Sequence, residues 1–419
     1  MRTDARFTRL PAEEPRGVER RPSGWARAAV LGACALGAYA ACGWRARAPA
    51  LGRLRYPTDC QRAIGVWSRG LMRACCDVFP ANFTYERVRR GAIARGEHAT
   101  TDWATVPIRN GSIVYVPSLD VPAFLERFVA FPPSARVTLV SGQEDVGMPR
   151  ELWGLGVRRD MSVPMRVPLE RFLSDERLLH WWVQNYDLVG CNPYSGCSQL
   201  AADSPLARKV SPIPIGLDLH TLAEKLPPRK RQPACEQQAE IDALAATLPQ
   251  LRARPDRLLA PFKCRQDRLD ACAALQPPAG IATFFHGARS AMWRAMGDHA
   301  FVAAPRGHGV DTHRLWEVLA LGSVPVAIAS SLDRLYADFP VVTIARWADA
   351  NASALRVWRA RIERQFGAEP FGAHVREALT GRSWAERIGR RHEADMGAAV
   401  GAYMGGGALD AQPFLPART

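Results

Sequence analysis

The chain contains very little lysine. Only four of its 55 basic residues are Lys, so the formal net charge of +14 comes almost entirely from arginine. Half of that excess lies in the first 56 residues rather than on one surface of a folded body. The one tight basic cluster, Arg229–Arg231, lies in a proline-rich stretch without the interleaved aromatic residues that nucleic-acid binders use. We therefore predict no nucleic-acid partner.

Several common catalytic and metal motifs are missing as well. The sequence has no Walker A pattern and no G-x-G-x-x-G pattern, which argues against an ATPase and against a nicotinamide-dependent dehydrogenase. It has no C-x-x-C pair, and no histidines lie at the spacing of a zinc finger. We therefore predict no metal site and no cofactor. No internal repeat is present.

No strongly apolar run is long enough to be an unambiguous membrane span. The best candidate is the uncharged run 28–44, which is mostly Ala and Gly and would extend about 25 Å as a helix. The arginine-rich residues before it favour a cytoplasmic N-terminus. We predict a cytoplasmic tail over 1–27, a signal anchor over 28–44 and a stem with an entry segment over 45–110. A cleaved signal peptide and an organellar transit peptide are the alternatives.

Cysteine usage and sequons support a lumenal body. Eight cysteines lie outside the 28–44 run, and an even set is typical of disulfides in an oxidising compartment. The eight are Cys60, Cys75, Cys76, Cys191, Cys197, Cys235, Cys264 and Cys272. Their spacing makes Cys191–Cys197 and Cys264–Cys272 plausible pairs. N-glycosylation triplets begin at Asn82, Asn110 and Asn351.

From residue 112 onward, strand-like and helix-like segments alternate, which is typical of parallel α/β layers. The predicted strands are 113–116, 137–140, 210–215, 257–262, 301–304, 324–328 and 341–344, and an aromatic cluster lies at 178–184. The predicted helices are 119–130, 236–251 (amphipathic), 288–296, 312–321, 332–336, 345–365 and 384–399. A joint near 216–233, which includes the Pro-rich stretch 226–233, separates two α/β halves, predicted as domains over 111–225 and 226–400, and 401–419 is a loose tail.

The stretch 301–326 carries the most chemical information. A buried strand leads into a loop with Gly307 and Gly309, and the next helix begins near Asp311. Within that helix, Arg314 and Glu317 fall on one face together with His313. The amide end of a helix and nearby arginines suit a diphosphate, and an acidic residue one turn later suits a ribose diol. An ordinary Arg314–Glu317 surface pair is the competing interpretation.

The string PRGHGVDTHRLWEVLALGSVPV, residues 305–326, resembles the donor-site segment of exostosin-like glycosyltransferases, closest to an algal and microbial group. The stretches WWVQNYD (181–187), VSPIPIGLDLHTL (210–222) and VTLVSGQED (137–145) resemble further motifs of that group. The resemblance implies a GT-B fold, with two Rossmann-like domains facing across a cleft, and a type II membrane protein of the Golgi. It also implies a UDP- or GDP-linked sugar donor and a glycan or glycoprotein acceptor.

The resemblance also implies individual roles. Arg314 matches the residue that contacts the diphosphate, and Glu317 matches the residue that contacts the ribose. Arg306, Gly307, Gly309 and Asp311 match the surrounding loop, and His313 remains a binding candidate because it shares a helix face with Arg314 and Glu317. His308 departs from the Asn that is frequent in the group. The absence of a D-x-D triplet, which holds Mn²⁺ in GT-A enzymes, favours transfer without a metal.

The acceptor side is less well defined. Asp145 is the first candidate for a catalytic base because it follows a buried strand, and Asp218 and His220 are further candidates. Capping of a turn is the equally weighted alternative for those two. Trp181, Trp182 and Tyr186 either stack on a sugar ring or belong to the core, and His286 and Arg289 are expected near the cleft. The competing function is a catalytically inactive glycan-binding or scaffold protein on the same fold.

Overall fold

The computed structural model describes residues 65–67, 70–71, 75–79, 101–158, 162–224, 227–277 and 280–403. All of them belong to one unit, which runs from Ala46 to Thr419. The predicted cytoplasmic tail, the predicted anchor over 28–44 and residues 404–419 of the predicted loose tail lie outside the described residues. In the part of the chain that is described, no helix combines the length and the apolar character that crossing a membrane requires.

The first half forms a four-stranded parallel sheet, as the alternation of segments predicts. Its strand order is β1-β2-β3-β6, and every neighbouring pair is parallel. The elements are β1 (Ser112–Tyr115), α1 (Val121–Val129), β2 (Val137–Ser141), α2 (Leu169–Ser174), β3 (Leu178–Val183), β4 (Cys191–Asn192), β5 (Gly196–Cys197), α3 (Pro205–Arg208) and β6 (Val210–Pro212). The strands are buried along nearly their whole length, because helices and loops cover both faces.

The cysteine pairs at short spacing are confirmed. Strands β4 and β5 form a small antiparallel hairpin that the Cys191–Cys197 disulfide closes, and Cys264 is bonded to Cys272. Cys235 is disulfide-bonded as well. The expectation of a fully paired set is wrong for Cys75 and Cys76, which are buried free thiols in contact with each other.

The joint between the halves is partly helical. It includes α4 (His220–Glu224) and a short 3-10 turn at Pro228–Lys230. The following helix, α5 (Ala234–Thr247), is shorter than the predicted 236–251. Its buried residues are Gln237, Gln238 and Ile241, so a continuous apolar stripe, and with it the predicted amphipathic character, is absent from this helix. Both glutamine amides have hydrogen-bond partners, which makes their burial tolerable.

The second half forms a five-stranded sheet in the order β11-β10-β9-β7-β8, again parallel throughout. Its first elements are β7 (Leu258–Ala260), α6 (Leu269–Leu275), β8 (Ala282–Phe284), α7 (Arg289–Gly297) and β9 (Phe301–Ala303). The others are α8 (His313–Ala320), β10 (Val324–Ile328), β11 (Val342–Ile344), α9 (Ala352–Phe366), α10 (Ala373–Ala378) and α11 (Gly381–Tyr403). A mixed α/β architecture with parallel sheets is thereby confirmed.

Several elements of this half differ from the predictions. The elements β8 and α6 had no predicted counterpart, because the surrounding sequence is rich in Pro, Gly and charge. The predicted helix 345–365 begins only at Ala352, where the Asn351 side chain accepts a hydrogen bond from the Ala354 amide and caps it. The predicted helix 332–336 is a single 3-10 turn, Asp333–Leu335.

Two segments from outside the predicted first half pack against it. Helix α11 packs against β3 of the first sheet, and His392 Nδ1 lies 2.9 Å from Thr138 Oγ1. Asp77, in the predicted entry segment, accepts a hydrogen bond from the Ile113 amide beside β1. The entry segment, through Asp77, and helix α11, at the end of the predicted second domain, thus both contact the first half.

Candidate functional site

A cavity of about 530 Å³ lies where the carboxyl ends of strands from both sheets meet. The first-sheet wall consists of Asp145, Ile215, Asp218, Thr221 and Leu222. The second-sheet wall includes Phe262, Arg268, Arg289, Arg314 and Glu317, with loop residues from 305 to 313 between the walls. Its volume falls within the usual range for small-molecule sites.

The order of the second sheet explains why the cavity forms there. Strands β7 and β9 are neighbours, but the chain leaves β7 toward β8 on one side and leaves β9 toward β10 on the other. Neighbouring strands whose connections diverge leave a crevice at their carboxyl ends, which is where open α/β sheets bind ligands. Phe262 follows β7 and Pro305 follows β9, and both line the cavity.

The loop with the two glycines contacts the first half directly. A Cβ atom on Gly309 would lie 2.9 Å from the Asn185 side-chain amide, so only glycine permits this approach without a shift. The Asn185 Oδ1 atom in turn accepts a hydrogen bond of 2.9 Å from the Asp311 amide. Both Gly307 and Gly309 line the cavity.

Asp311 connects the two halves with its carboxylate. Oδ2 accepts a 2.7 Å hydrogen bond from the Ile215 amide, and Oδ1 accepts a 2.9 Å bond from Trp316 Nε1. Burial raises the pKa of Asp311 to about 6, although these hydrogen bonds act in the opposite direction. Asp311 lines the cavity, but its carboxylate oxygens already have protein partners, so its contribution there is structural.

Helix α8 places charged residues on its cavity side. Its apolar face, formed by Leu315, Trp316, Val318 and Leu319, is buried. Glu317 is only 7% exposed and lies between two guanidinium groups, with Arg314 at 3.8 Å and Arg289 at 3.9 Å. An ordinary surface ion pair is therefore excluded, because the pair lies in the cavity lining.

Arg289 is held in place from three directions. Its guanidinium donates 2.7 Å hydrogen bonds to Gln237 Oε1 and to the Asp218 backbone carbonyl, and it lies 4.4 Å from the Trp293 ring centre. The buried glutamine on α5 thus positions a cavity residue. The expectation that Arg289 lies near the cleft is confirmed.

Two further arginines face the cavity under partial burial. Arg314 contacts the Met292 sulfur, and Arg268 donates a 3.1 Å hydrogen bond to the Arg306 carbonyl. Burial lowers the pKa of both guanidinium groups. Because these guanidinium groups are partly buried, their electrostatic attraction to an anionic ligand is stronger than that of exposed cations.

A second cavity of about 610 Å³ adjoins the first and shares Arg268, Arg314 and Gly307 with it. Lys263, Arg265 and His286 add further basic groups to its lining. The expectation that His286 lies near the cleft is thus confirmed.

Arg306 does not join this group. Its guanidinium lies 5.4 Å from the Tyr194 ring centre, and it is absent from the described lining of both cavities. Its Nε atom is buried and has no hydrogen-bond partner among the described residues. The structure therefore places Arg306 outside the described lining of both cavities, against Tyr194.

Sequence reasoning missed two residues that hold the loop. Tyr194, at the tip of the β4–β5 hairpin, donates a 2.5 Å hydrogen bond to the Gly307 carbonyl. Arg158 donates to the carbonyl groups of His308 and Asp145 and pairs with the buried Glu151. The Arg158 guanidinium also lies 3.9 Å from the Tyr194 ring centre. The only signal for this arrangement was the Cys191–Cys197 spacing, which indicates a hairpin but not what it touches.

The predicted base candidates lie on the first-sheet side. Asp145 and Asp218 line the cavity, and His220 Nδ1 lies 3.1 Å from Asp218 Oδ1. His313 approaches the same place from the second half, with its ring centre 5.3 Å from that of His220. Burial by itself raises the pKa of Asp218, but the charges of His313 and His220 and hydrogen bonds from Thr221 outweigh it and hold the pKa below its ordinary value.

These three side chains form a group that could hold a metal ion. Asp218, His220 and His313 each offer one ligand atom, and the three atoms lie within 4.8 Å of one another. The sequence-based expectation of no metal site rested on linear spacing. That spacing cannot reveal a group assembled from two halves of the chain.

The aromatic residues proposed to stack on a sugar belong to the core. Trp181 and Tyr186 are 0% exposed and Trp182 is 6% exposed. The Trp181 indole donates to Ser141 Oγ, and the Tyr186 hydroxyl accepts from Arg334. Sugar stacking is therefore wrong for these residues, because sheet packing buries their faces.

Comparison with known proteins adds little. No protein-family model matches the chain, and no curated protein matches it. One similar solved structure is described as trehalose-6-phosphate from E. coli bound with UDP-2-fluoro glucose, at 11% sequence identity. The match covers 68% of this chain and 72% of that chain with a TM-score of 0.28, and at that score it carries no argument about this chain.

Proposed function

We propose that this chain is an exostosin-like glycosyltransferase that transfers a sugar from a UDP- or GDP-linked donor to a glycan or glycoprotein acceptor. The observation that carries the proposal is the group formed by Arg268, Arg289, Arg314 and Glu317 in the cavity at the β7–β9 crevice. Within this group three guanidiniums face one carboxylate, so the second-sheet wall carries an excess of positive charge that suits a diphosphate, while the other carboxylates of the lining lie on the first-sheet wall and in the loop.

The two walls of the cavity are proposed to have different roles, and the second-sheet wall binds the donor. Arg314 lies in the first turn of α8, so its guanidinium and the helix amides can bind the same phosphate oxygens. As the sugar leaves the diphosphate, negative charge grows on these oxygens, and preorganised cations stabilise it. Glu317 is proposed to accept hydrogen bonds from the ribose hydroxyls.

Asp145 is proposed to receive the proton of the acceptor hydroxyl. It faces the cavity from the first-sheet wall, opposite the arginines. The Arg158 side chain donates a 3.0 Å hydrogen bond to its backbone carbonyl, which holds the loop while leaving the carboxylate out of that contact. A carboxylate held in this way suits general-base work.

Location in the Golgi membrane, with a lumenal catalytic body and a single-pass anchor, is part of the proposal. It rests on the basic and uncharged segments of residues 1–56 and on the two confirmed disulfides, which suit an oxidising compartment.

The test begins with thermal unfolding of the purified protein in the presence of uridine, UMP, UDP, GDP, UDP-linked sugars and GDP-linked sugars. We expect stabilisation by one nucleoside diphosphate and its sugars, amounting to about 2.7 kcal/mol at 100 times the Kd. We expect much less from the monophosphate. Absence of any response across the panel would contradict the proposal.

The second step measures release or transfer of labelled sugar from the stabilising donor, with a glycan acceptor panel. Release or transfer supports the enzyme. Binding of the donor without any turnover would favour the competing function, an inactive glycan-binding or scaffold protein.

A further inference from the structure

The group formed by Asp218, His220 and His313 is not explained by nucleotide-sugar binding. Asp218 and His220 lie in the segment after β6, whereas His313 is the first residue of α8 in the second half. Their ligand atoms nevertheless come within 4.8 Å of one another. An Asp–His hydrogen-bonded pair would account for two of these residues but gives no reason for the third.

The donor set has the chemistry of a divalent-metal site. One carboxylate and two imidazoles are typical ligands of zinc and similar borderline metals, and three protein ligands leave a fourth position open. Bonds of about 2.0–2.1 Å place the ligand atoms of a tetrahedral site roughly 3.3 Å apart, so side-chain shifts of about 1 Å close the present group. Because Asp218 and His313 line the cavity, the open position faces it.

The surroundings of His313 orient its ring for metal binding. Its Nδ1 lies 2.7 Å from the Gly216 carbonyl, which only accepts hydrogen bonds, so Nδ1 is the donating nitrogen and Nε2 is the nitrogen left to bind a metal. The carbonyl itself is firmly placed. Gly216 has φ +68°, and a Cβ atom there would lie 1.9 Å from the Val66 carbonyl oxygen. A backbone carbonyl that accepts a hydrogen bond from the other ring nitrogen is a regular feature of histidine metal sites.

Asp218 is held without using up its carboxylate on a cation. The nearest arginine, Arg289, donates to the Asp218 backbone carbonyl at 2.7 Å rather than to the side chain. The Asp218 carboxylate is instead directed to the two histidines and to the Thr221 amide, at 3.1 Å. The segment that carries Asp218 and His220 is thus held by Arg289, which lies outside the group.

We propose that Asp218, His220 and His313 bind one divalent metal ion of the zinc class, with a coordination position open to the cavity. This departs from the metal-free transfer expected from the missing D-x-D triplet. The proposal does not depend on the glycosyltransferase assignment, because the site is defined by its ligands alone.

The experiment titrates chelator-treated protein with Zn²⁺ in nucleotide-free buffer, by calorimetry with metal analysis of the dialysed product. Co²⁺ serves as a spectroscopic probe of the coordination geometry. We expect one ion per chain, and visible Co²⁺ bands typical of low-coordinate nitrogen and oxygen ligation. Loss of a ligand in His313→Ala or His220→Gln should weaken metal binding about 100-fold or more.

His286→Ala is the matched control, since His286 lies beside the cavities but outside the group. It should bind metal as the unaltered protein does. Metal-free unfolding temperatures of all variants show whether each one folds. Equal weakening in the His286 variant, or no stoichiometric ion in the unaltered protein, would overturn the site. Nucleotide binding that persists under that second result would leave the proposed function standing and identify Asp218 and His220 as a metal-free pair.

Discussion

The two walls of the cavity differ in charge and in origin. The first-sheet wall presents Asp145 and Asp218, whereas the second-sheet wall presents Arg268, Arg289 and Arg314 around a single glutamate. The two sheets differ in the same sense. The strands of the first sheet follow one another in one direction across it, while the second has a point where connections diverge. In the functions proposed above, anion binding belongs to the second half and proton transfer to the first, while the metal site takes Asp218 and His220 from the first half and His313 from the second.

The largest expected effect comes from removing a cation of the second-sheet wall. Arg314→Met keeps the length of the side chain but removes the guanidinium. Charged hydrogen bonds contribute about 1.5–3 kcal/mol each, so loss of two should weaken binding of a nucleoside diphosphate at least about 100-fold. Isothermal titration measures this directly.

Arg294→Met is the matched control for that change. Arg294 lies on α7 like the cavity residue Arg289, but its guanidinium pairs with Asp298 and is more than half exposed. Unaltered affinity in Arg314→Met, or an equal loss in Arg294→Met, would contradict the proposal that the second-sheet wall binds the diphosphate.

The next effect separates the walls. Asp145→Asn should lower turnover about 10²–10⁴-fold, which is the usual range for a general base, while leaving donor affinity unchanged. Glu144→Gln, which alters the neighbouring carboxylate outside the cavity lining, is the control. If Asp145→Asn reduced donor affinity as much as turnover, the assignment of separate tasks to the two walls would fail.

A smaller effect concerns the one acidic residue of the second-sheet wall. Glu317→Gln should lose discrimination between the ribose and 2′-deoxyribose forms of the nucleoside diphosphate. One hydrogen bond to a charged acceptor corresponds to about 1.5–3 kcal/mol, or roughly 10- to 100-fold in relative affinity. The ratio of the two dissociation constants is the readout. A ratio that is the same in the variant and the unaltered protein would show that Glu317 does not contact the ribose.

The last effect concerns stability rather than binding or turnover, at Asp311, which joins the walls with its carboxylate. Its pKa in the fold is about 6 because of burial, above the ordinary value of 3.8. The folded carboxyl therefore binds a proton before the unfolded one does as the pH falls. At pH 7 the folded state carries the free-energy cost of ionising this buried carboxyl. That cost disappears as the pH falls from about 6 to about 4. The stability of the unaltered protein relative to Asp311→Asn should rise over that window by up to about 3 kcal/mol.

Denaturant unfolding at pH 7, 6, 5 and 4 measures this difference. Asp338→Asn, which alters a surface carboxylate paired with Arg387, serves as the control and should show no such trend. A difference that is constant with pH would contradict the burial-driven shift at Asp311.

The contrast between the walls also shows where sequence reasoning succeeded. The 305–317 segment follows local rules, in that a strand is followed by a glycine loop and a helix, so its placement at a sheet edge was predictable. The burial of Trp181, Trp182 and Tyr186 was not, because an aromatic side chain next to a sheet edge can face a ligand or the core. Helix α5 misled for the same reason, since its buried Gln237 meets the Leu219 carbonyl and Arg289 only in the assembled fold.

The sequence by itself determined the alternation of strands and helices, the two short-spaced disulfides and the loop that carries Gly307 and Gly309. These depend on residues close together in the chain, whose conformations and contacts obey local periodicity. Only the tertiary structure decided that Asp311 bridges the halves, that Arg306 lies outside the cavity and that His313 meets Asp218 and His220. Each of those depends on which side chain from a distant segment arrives at the same point, and burial and hydrogen bonding decide that only once both sheets are in place.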